Sequence, residues 1–213
     1  MNRTAEEIAR SVLDRYGTTF AEEAGIELED APSPLFRLLV VAQLLSARIG
    51  AGIAVAAAVE IGNAGWATAP ALRDAKRSAV IASLGRAGYR RYDERTATQL
   101  HEMAELVLTR YGGDLRGLAV AAGKDVGAAA ELVQEVKGIG PTGCAVFLRE
   151  VQAVWPWVRP YLDERARAGA RRIGLPDDAG QLAGLVAPDA LARFAAGLVR
   201  ISRLPGQQDP FGE

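Results

Sequence analysis

Sulfur and imidazole side chains are almost absent from this chain of 213 residues, which has one cysteine and one histidine. The single cysteine, Cys144, cannot form a disulfide within the chain and cannot supply the four thiolates of an iron–sulfur cluster. His101 stands outside any H-E-x-x-H pattern, so the spacing of a zinc enzyme is missing as well. Disulfide-stapled folds are excluded, and we expect neither a cysteine-ligated cluster nor a zinc site.

Long apolar runs and strand patterns are also missing. No segment approaches the roughly 18 uninterrupted apolar residues that a membrane-spanning helix needs. Glu6 and Glu7 lie where a signal peptide would have its basic and apolar regions, so we expect a cytosolic protein. Alanine, leucine and arginine, three residues that favour helices, are among the most frequent in the chain, and no convincing period-two alternation occurs. The sequence therefore predicts an all-α fold.

Positive charge is not in excess overall, but its distribution is uneven. The formal net charge is −1, and Lys+Arg number 25 against 26 for Asp+Glu. Residues 1–31 have three arginines and eight acidic residues, whereas residues 137–172 have seven basic and three acidic residues. The total argues against a purely electrostatic nucleic-acid binder, while the local excess leaves room for contact with a polyanion.

Several segments have the residue patterns that begin, continue and end helices. Thr4-Ala5-Glu6-Glu7 is a capping box, and the helix that it starts should end at Gly17. Residues 35–47 are apolar on nearly every face and predict a buried central helix. Residues 93–111 predict a long amphipathic helix, and a last helix is expected over roughly 188–203. Loops are expected after Gly17 up to Asp30 and around residues 62–70.

The most informative stretch is the glycine turn Val136-Lys137-Gly138-Ile139-Gly140-Pro141-Thr142-Gly143 between two predicted helices. Pro141 can start the second helix, because the first turn of a helix needs no proline N–H. Backbone N–H groups at this N-terminus would form an anion site that the helix dipole also favours. A bare G-x-G turn is, however, more often a simple connection between packed helices.

A second stretch, Leu162-Asp163-Glu164-Arg165, opens an arginine-rich segment after a proline-containing link at 155–160. Asp163 stands where the next helix should begin, and aspartate is a preferred N-cap residue. Capping alone is therefore a sufficient reason for an aspartate at this position.

These two stretches, together with a third, resemble the helix-hairpin-helix (HhH-GPD) DNA glycosylases of the endonuclease III superfamily. The glycine turn followed by Ala145 is similar to the hairpin of that family. Leu162-Asp163 with Arg171-Arg172-Ile173-Gly174-Leu175 resembles its aspartate-bearing helix, and Gln43-Leu44-Leu45-Ser46-Ala47-Arg48 resembles the turn after its buried helix. The three matches occur in the order of the family and cover roughly residues 32–176.

The resemblance implies two helical lobes with a DNA-binding cleft between them. The expected lobes are a helical barrel domain of residues 32–140, which ends in the hairpin, and a second lobe of residues 1–31 plus 141–213. The implied partner is double-stranded DNA that contains a damaged or mismatched base, and the protein is expected to be a monomer, associated with the nucleoid if bacterial.

The resemblance also implies a reaction and its catalytic residue. Asp163 matches the catalytic aspartate of the family, whose carboxylate can stabilise positive charge on the deoxyribose or orient water when the glycosidic bond breaks. The target base must first leave the helical stack. The implied function is excision of a damaged or mismatched base in base excision repair.

Other sites carried over from the family are DNA contacts and a cation site. Arg48 matches the glutamine that fills the gap left by a flipped base, although an arginine in a turn can equally be a solvated surface residue. The hairpin residues implied to contact DNA are Gly138, Ile139, Gly140, Thr142 and Gly143. Backbone carbonyls implied to bind a monovalent cation are those of Gln134, Val136 and Ile139.

The sequence departs from the family at two points. Bifunctional members have a lysine where this chain has Thr142, and threonine cannot form the Schiff base that leads to strand cleavage. A monofunctional, hydrolytic glycosylase is therefore expected, with no iron–sulfur cluster, since residues 176–213 contain no cysteine. Two alternatives stay open: a non-catalytic helix-hairpin-helix DNA-binding protein, and a glycosylase with AP lyase activity that uses a relocated amine such as Lys137.

Overall fold

The structure is a computed structural model that describes residues 3–206 and 208–212, and these residues form helices and turns without any strand. The all-α prediction is confirmed. The described residues form two compact units: Ala21–Phe147, and the residues up to Phe20 together with those from Leu148 onward. The division into 32–140 and 1–31 plus 141–213 stays a prediction, and so does a DNA-binding cleft between two lobes.

The helices follow one another through short connections, and two 3₁₀ turns, Pro156–Val158 and Pro188–Ala190, interrupt the second half of the chain. In chain order the α-helices are α1 (Ala5–Tyr16), α2 (Phe20–Glu23), α3 (Pro32–Ser46), α4 (Ala51–Asn63), α5 (Ala69–Asp74), α6 (Arg77–Arg86), α7 (Asp93–Tyr111), α8 (Arg116–Ala121), α9 (Val126–Gln134), α10 (Pro141–Val151), α11 (Glu164–Arg172), α12 (Ala179–Ala183) and α13 (Leu191–Ser202).

The unit Ala21–Phe147 is built around α3, the helix predicted to be central. Pro32 occupies the first helical position, and every residue from Leu38 to Leu44 is buried. The apolar surface all round this helix is covered by its neighbours, among them α4 and α7. Helix α7 has the bounds expected from its pattern and ends at Gly112, which adopts a left-handed conformation with φ 62°.

The other unit has α13 as its central helix. The inner face of α13, with Phe194 and Leu198, packs against α1 and α11. Helix α1 begins with the predicted capping box, in which Thr4 and Glu7 exchange hydrogen bonds of 2.8 and 3.2 Å. The close packing of α11 on α13 depends on Gly169, where a Cβ would lie 1.9 Å from the carbonyl oxygen of Leu198.

Two short helices form where the sequence predicts loops. Helix α2 lies in the acidic connector, and α5 begins within the predicted loop at 62–70. Thr68 caps α5 through its side chain, and Leu72 is fully buried where α5 packs against α7. The acidic connector therefore contains a helix that the sequence did not predict, and the loop around 62–70 is shorter than expected, because tertiary packing rather than propensity stabilises helices this short.

Every helix within the described part of the chain is too short or too polar to span a bilayer.

Candidate functional site

The predicted glycine turn connects α9 to α10. Ile139 points inward with 5% of its surface exposed, and its N–H donates to the carbonyl of Val136 at 2.9 Å. Gly138 has φ +98°, a conformation that side chains other than glycine rarely adopt. The first hydrogen bond of α10 runs from the N–H of Cys144 to the carbonyl of Gly140. The N–H groups of the two residues before Cys144 therefore take no part in the hydrogen bonding of the helix.

Two glycines of this turn lie directly against neighbouring side chains. A Cβ on Gly138 would lie 2.8 Å from Oε1 of Gln99 in α7, and a Cβ on Gly143 would lie 1.9 Å from Oγ of Ser46 at the end of α3. The backbone of the turn therefore packs closely against α7 and α3. For Gly143, which is buried, packing is a sufficient reason for glycine.

Lys137 lies in the turn and is exposed. Its Nζ donates to a carboxylate oxygen of Glu102 at 2.7 Å, and its carbonyl accepts a hydrogen bond from Nε2 of Gln43 at 3.3 Å. The amine that the sequence offers as a replacement for the family lysine is thus occupied by an ion pair in this structure.

A pocket of about 320 Å³ opens beside the turn, within the unit Ala21–Phe147. It brings together two residues expected to contact DNA, Arg48 and Gly138, with residues of α3, α7 and the segment before α7. The pocket is lined by Gln43, Ser46, Ala47, Arg48, Tyr89, Tyr92, Arg95, Thr96, Gln99 and Gly138. Burial raises the pKa of Tyr89, whose hydroxyl accepts a hydrogen bond from Thr96 at 3.3 Å. No motif in the sequence marks Tyr89, Tyr92 or Gln99.

Asp163, the expected catalytic residue, lies in the other unit and is the N-cap of α11. Its Oδ1 accepts the N–H of Ala166 at 2.9 Å, and its Oδ2 accepts a hydrogen bond from the guanidinium of Arg149 in α10. The side chain of Asp163 is 11% exposed and that of Arg149 is 2% exposed. Capping and the ion pair fix the orientation of the carboxylate and leave a small part of it open.

The link from α10 to Asp163 is held by a second buried side chain, that of Gln152. Its Nε2 donates to the carbonyls of Arg149 and Tyr161, and its Oε1 accepts the N–H of Tyr161 at 2.9 Å. Arg159 donates to the carbonyls of Gln152 and Ala153 at 2.6 Å. Trp155 and Trp157 stack on each other with ring centroids 5.3 Å apart. These contacts join the link to the end of α10 and so help to place Asp163 beside Arg149.

Two arginines near Asp163 lack a carboxylate partner among the described residues. Arg165 of α11 and Arg203, just after α13, line an open depression together with Ser202 and Glu164. Partial burial is the largest cause that lowers the pKa of Arg203, and the positive charges of Arg165 and Arg149 lower it further. The carboxylate of Glu164 is shared by Arg167 and Arg171 at 3.0 and 2.6 Å. This part of the surface is consequently positive.

Metal-binding side chains do not cluster in the described part of the chain: no group of three His, Cys, Asp or Glu residues could hold an ion there. The expected cation site consists of backbone carbonyls and stays a prediction; one of them, that of Val136, already accepts the N–H of Ile139. Cys144 is buried, and burial raises the pKa of its thiol to about 11.

Comparison with solved structures places this geometry among known folds. The crystal structure of 3-methyladenine DNA glycosylase (MagIII) of H. pylori, bound to 1,N6-ethenoadenine, superposes with a TM-score of 0.55. The alignment covers 94% of this chain and 98% of that chain, at 13% sequence identity. The chain has the fold of a helix-hairpin-helix DNA glycosylase. At this identity the likeness shows the fold alone.

A second structure, a trapped endonuclease III–DNA covalent intermediate in an estranged-adenine complex, has a TM-score of 0.49 at 12% identity over 92% of this chain and 85% of that chain. No protein-family model matches the sequence, and no curated protein matches it.

The site residues predicted from the sequence fall into both units. Arg48 and the hairpin residues lie in Ala21–Phe147, where Arg48 and Gly138 share a pocket, and Asp163 lies in the other unit. Their roles in catalysis and DNA binding stay predictions. Sequence reasoning missed the side chains of Arg149 and Gln152. One signal could have found them: an arginine lies on the otherwise apolar helix α10, and a glutamine follows directly after it.

Proposed function

We propose that the protein is a monofunctional DNA glycosylase, which flips a damaged or mismatched base out of duplex DNA and hydrolyses its N-glycosidic bond. The observation that carries the proposal is the carboxylate of Asp163, oriented by Arg149 and by the N-terminus of α11 in a chain with a helix-hairpin-helix glycosylase fold. MagIII acts on a base in DNA, as its name states, which agrees with the same reaction class here.

The proposed chemistry needs one well-placed carboxylate. When the bond between C1′ and the base nitrogen breaks, its electrons leave with the base and positive charge develops on the sugar. The carboxylate of Asp163 stabilises that charge, and a water molecule adds to C1′ and loses a proton. The products are a free base and an intact strand with an abasic site. Because two partners hold Asp163, its orientation needs little adjustment during the reaction.

A hydrolytic reaction is favoured over a lyase reaction, because a lyase reaction needs a free amine at the site. Thr142 stands at the position of the family lysine, and a hydroxyl cannot form an imine with the sugar. Lys137, the nearest lysine in sequence, pairs with Glu102. Borohydride, which would trap an imine, should therefore leave no covalent complex between protein and DNA.

The proposed DNA contacts use the hairpin. The N–H groups at the start of α10 offer donors to a phosphate oxygen, and the helix dipole adds to that attraction. In the proposal Gly138, Ile139, Gly140, Thr142 and Gly143 form this contact, with a monovalent cation on the carbonyls of Gln134, Val136 and Ile139. Arg48 would fill the gap in the duplex.

The test is a panel of duplexes, each containing one damaged or mismatched base, incubated with the protein and then treated with hot alkali to cut abasic sites. We expect cutting of at least one duplex after alkali and none without it. Asp163→Asn should lower the rate of base release at least about a hundredfold, since it removes the charge that stabilises the transition state. A fully active Asp163→Asn protein, or a panel without any cut duplex, would refute the proposal.

One observation favours a second candidate, a DNA-binding protein without catalysis. Both carboxylate oxygens of Asp163 already have partners, so the residue has a structural role that needs no reaction. This candidate predicts that duplex binding is retained in Asp163→Asn while wild-type protein releases no base. Gel-shift and alkali assays on the same two proteins decide between the candidates.

A further inference from the structure

Gln152, which directly follows α10, has no exposed surface, and both ends of its side-chain amide are hydrogen-bonded. Nε2 donates to the carbonyl oxygen of Arg149 at 2.7 Å and to that of Tyr161 at 2.9 Å. Oε1 accepts the N–H of Tyr161 at 2.9 Å. Both donor positions of the amide therefore have an acceptor, and its oxygen has a donor. Gln152 thus joins the end of α10 to the backbone of the segment that leads to Asp163.

These contacts close a ring that includes the proposed catalytic carboxylate. Tyr161 lies just before Leu162 and Asp163 in the sequence, and Arg149 donates from its guanidinium to Oδ2 of Asp163. The ring runs from Arg149 along the backbone to Gln152 and through the amide of Gln152 to Tyr161. It continues along the backbone to Asp163 and returns to Arg149 through the ion pair. Leu162 is buried in the hydrophobic core of this unit. The short segment before α11 is therefore held at both ends and in its middle.

We propose that Gln152 is a positioning residue for Asp163: it determines where the carboxylate lies, and thereby the rate of base release, without touching DNA. The effect on rate rests on the proposed function, whereas the placement of Asp163 is a property of the free protein. Because Gln152 has no exposed surface, it acts only through the residues that it contacts.

Three sets of contacts place Asp163, and each restricts a different movement. The N–H of Ala166 donates to Oδ1 and orients the carboxylate relative to α11. The ion pair with Arg149 attracts the carboxylate towards α10, but Coulomb attraction changes slowly with distance and tolerates displacement. The hydrogen bonds of Gln152 have narrow limits of length and angle. They therefore fix the distance between the end of α10 and the start of α11.

Arg159 supports the same link from its outer side. Its half-buried guanidinium donates to the carbonyl oxygens of Gln152 and Ala153, each at 2.6 Å. A planar guanidinium can donate to two neighbouring carbonyls at once, whereas the ammonium group of a lysine lacks this fork. Arg159→Lys therefore keeps the positive charge and loosens the link, and so it is a milder variant than a change of Gln152 itself.

A small displacement of the carboxylate has a large effect on rate, because a shift of about 1 Å in a reacting group can cost about a hundredfold. Gln152→Met keeps the length of the side chain and removes its three hydrogen bonds. The N-cap and the ion pair remain, so the displacement should be partial and the rate should fall about tenfold. The affinity for duplex DNA should not change.

The test measures single-turnover base release and duplex affinity separately, on the duplex of the lesion panel that wild-type protein cuts fastest. Gln152→Met should lower the rate and leave the Kd unchanged, and Arg159→Lys should do the same to a smaller extent. Leu72→Ala, which opens a cavity in the other unit, is the control for lost stability. Gln181→Met changes an exposed glutamine and is the control for the substitution. Both controls should release base at the wild-type rate.

The same change in an Asp163→Asn background tests whether Gln152 acts through Asp163. If it does, Gln152→Met should not lower the residual rate further, because residues that act as a unit are not additive. An equal fold decrease in both backgrounds would overturn the inference. So would a wild-type rate in folded Gln152→Met protein, or in Arg159→Lys if Gln152→Met fails to fold. A rate loss in Leu72→Ala as large as that in Gln152→Met would overturn it as well.

NMR of the free protein provides a measurement that needs no reaction. Nε of Arg149 is buried and has no partner among the described residues, so its N–H signal reports on the ring. In protein labelled with ¹⁵N and ¹³C, Gln152→Met should shift this signal and the carboxylate signal of Asp163, and Gln181→Met should shift neither. If wild-type protein releases no base from any duplex, the proposed function fails. Shifted signals then still support the placement of Asp163 by Gln152, and unchanged signals refute it.

Discussion

At the scale of single residues, the pair formed by Arg149 and Asp163 has the largest consequences. Arg149 is almost completely buried, and the carboxylate of Asp163 is the acceptor for its guanidinium. Its Nε has no partner in the described part of the chain, so the pair is not fully satisfied. A buried charge that loses its opposite charge becomes strongly unfavourable. The pair should therefore couple the stability of the protein to the proposed catalytic residue.

Arg149→Met should destabilise the protein by about 3–5 kcal/mol, because the carboxylate of Asp163 is left buried and unpaired. The measurement is urea unfolding followed by circular dichroism. Arg116→Met is the control: its ion pair with Asp114 is half exposed, so the decrease should be much smaller than that of Arg149→Met.

The double variant Arg149→Met with Asp163→Asn should be more stable than Arg149→Met alone, because no unpaired carboxylate remains. Equal stability of these two proteins would show that the pair contributes nothing beyond packing.

At the scale of elements, glycines decide how closely two pairs of helices approach. Gly143 lets the start of α10 lie on the end of α3, and Gly169 lets α11 lie on α13. At Gly143 a Cβ would lie 1.9 Å from Oγ of Ser46 and 2.7 Å from the carbonyl oxygen of Ala42, whereas at Gly169 it would lie 1.9 Å from the carbonyl oxygen of Leu198. A side chain can rotate away and a helix backbone cannot, and the backbone comes closer at Gly169, so the second contact is the less tolerant one. It also holds the helix that Asp163 caps.

Gly169→Ala should therefore destabilise the protein by about 3 kcal/mol, since the new methyl group forces α11 and α13 apart. Thermal unfolding measures the effect. The matched control is Gly52→Ala in α4, where no described atom lies within 4 Å of the new Cβ. That change should stabilise the protein by about 0.5–1 kcal/mol, because alanine has the higher helix propensity. A Gly169→Ala protein as stable as wild type would contradict the close packing.

At the scale of the whole molecule, distribution of charge matters more than its sum. The net charge is −1, yet arginines without carboxylate partners among the described residues occur in both units: Arg48 and Arg95 in one, Arg165 and Arg203 in the other. In the proposed function, these guanidinium groups would provide the contacts by which a near-neutral protein binds DNA, with the salt dependence that such binding brings.

Replacement of Arg165 and Arg203 by glutamine should weaken duplex binding, and it should reduce the slope of log K against log salt by about 0.9 for each phosphate that the protein no longer neutralises. Fluorescence anisotropy with a labelled duplex at several salt concentrations measures both quantities. The control protein has Arg86→Gln and Arg116→Gln, which remove the same formal charge from arginines already paired with carboxylates. If both double variants bind alike, the proposed role of Arg165 and Arg203 is wrong.

The sequence by itself determined the class of fold, the long helix of residues 93–111, the buried helix before Ser46, the capping box at Thr4 and the capping role open to Asp163. These features depend on local periodicity and on side chains that bond to their own neighbours along the chain, so they can be predicted without tertiary structure. The resemblance to helix-hairpin-helix glycosylases likewise came from short motifs, and the shared fold agrees with it.

Only the tertiary structure decided which distant side chains meet. Arg149 and Asp163 are separated by 14 residues, and Gln99 and Gly138 come from different helical segments, so no periodic pattern pairs them. The short helices α2 and α5 were likewise decided only by the tertiary structure, because packing against the core stabilises them. The physical reason is that burial, close approach and charge pairing depend on distances in space, which the order of residues along the chain does not specify.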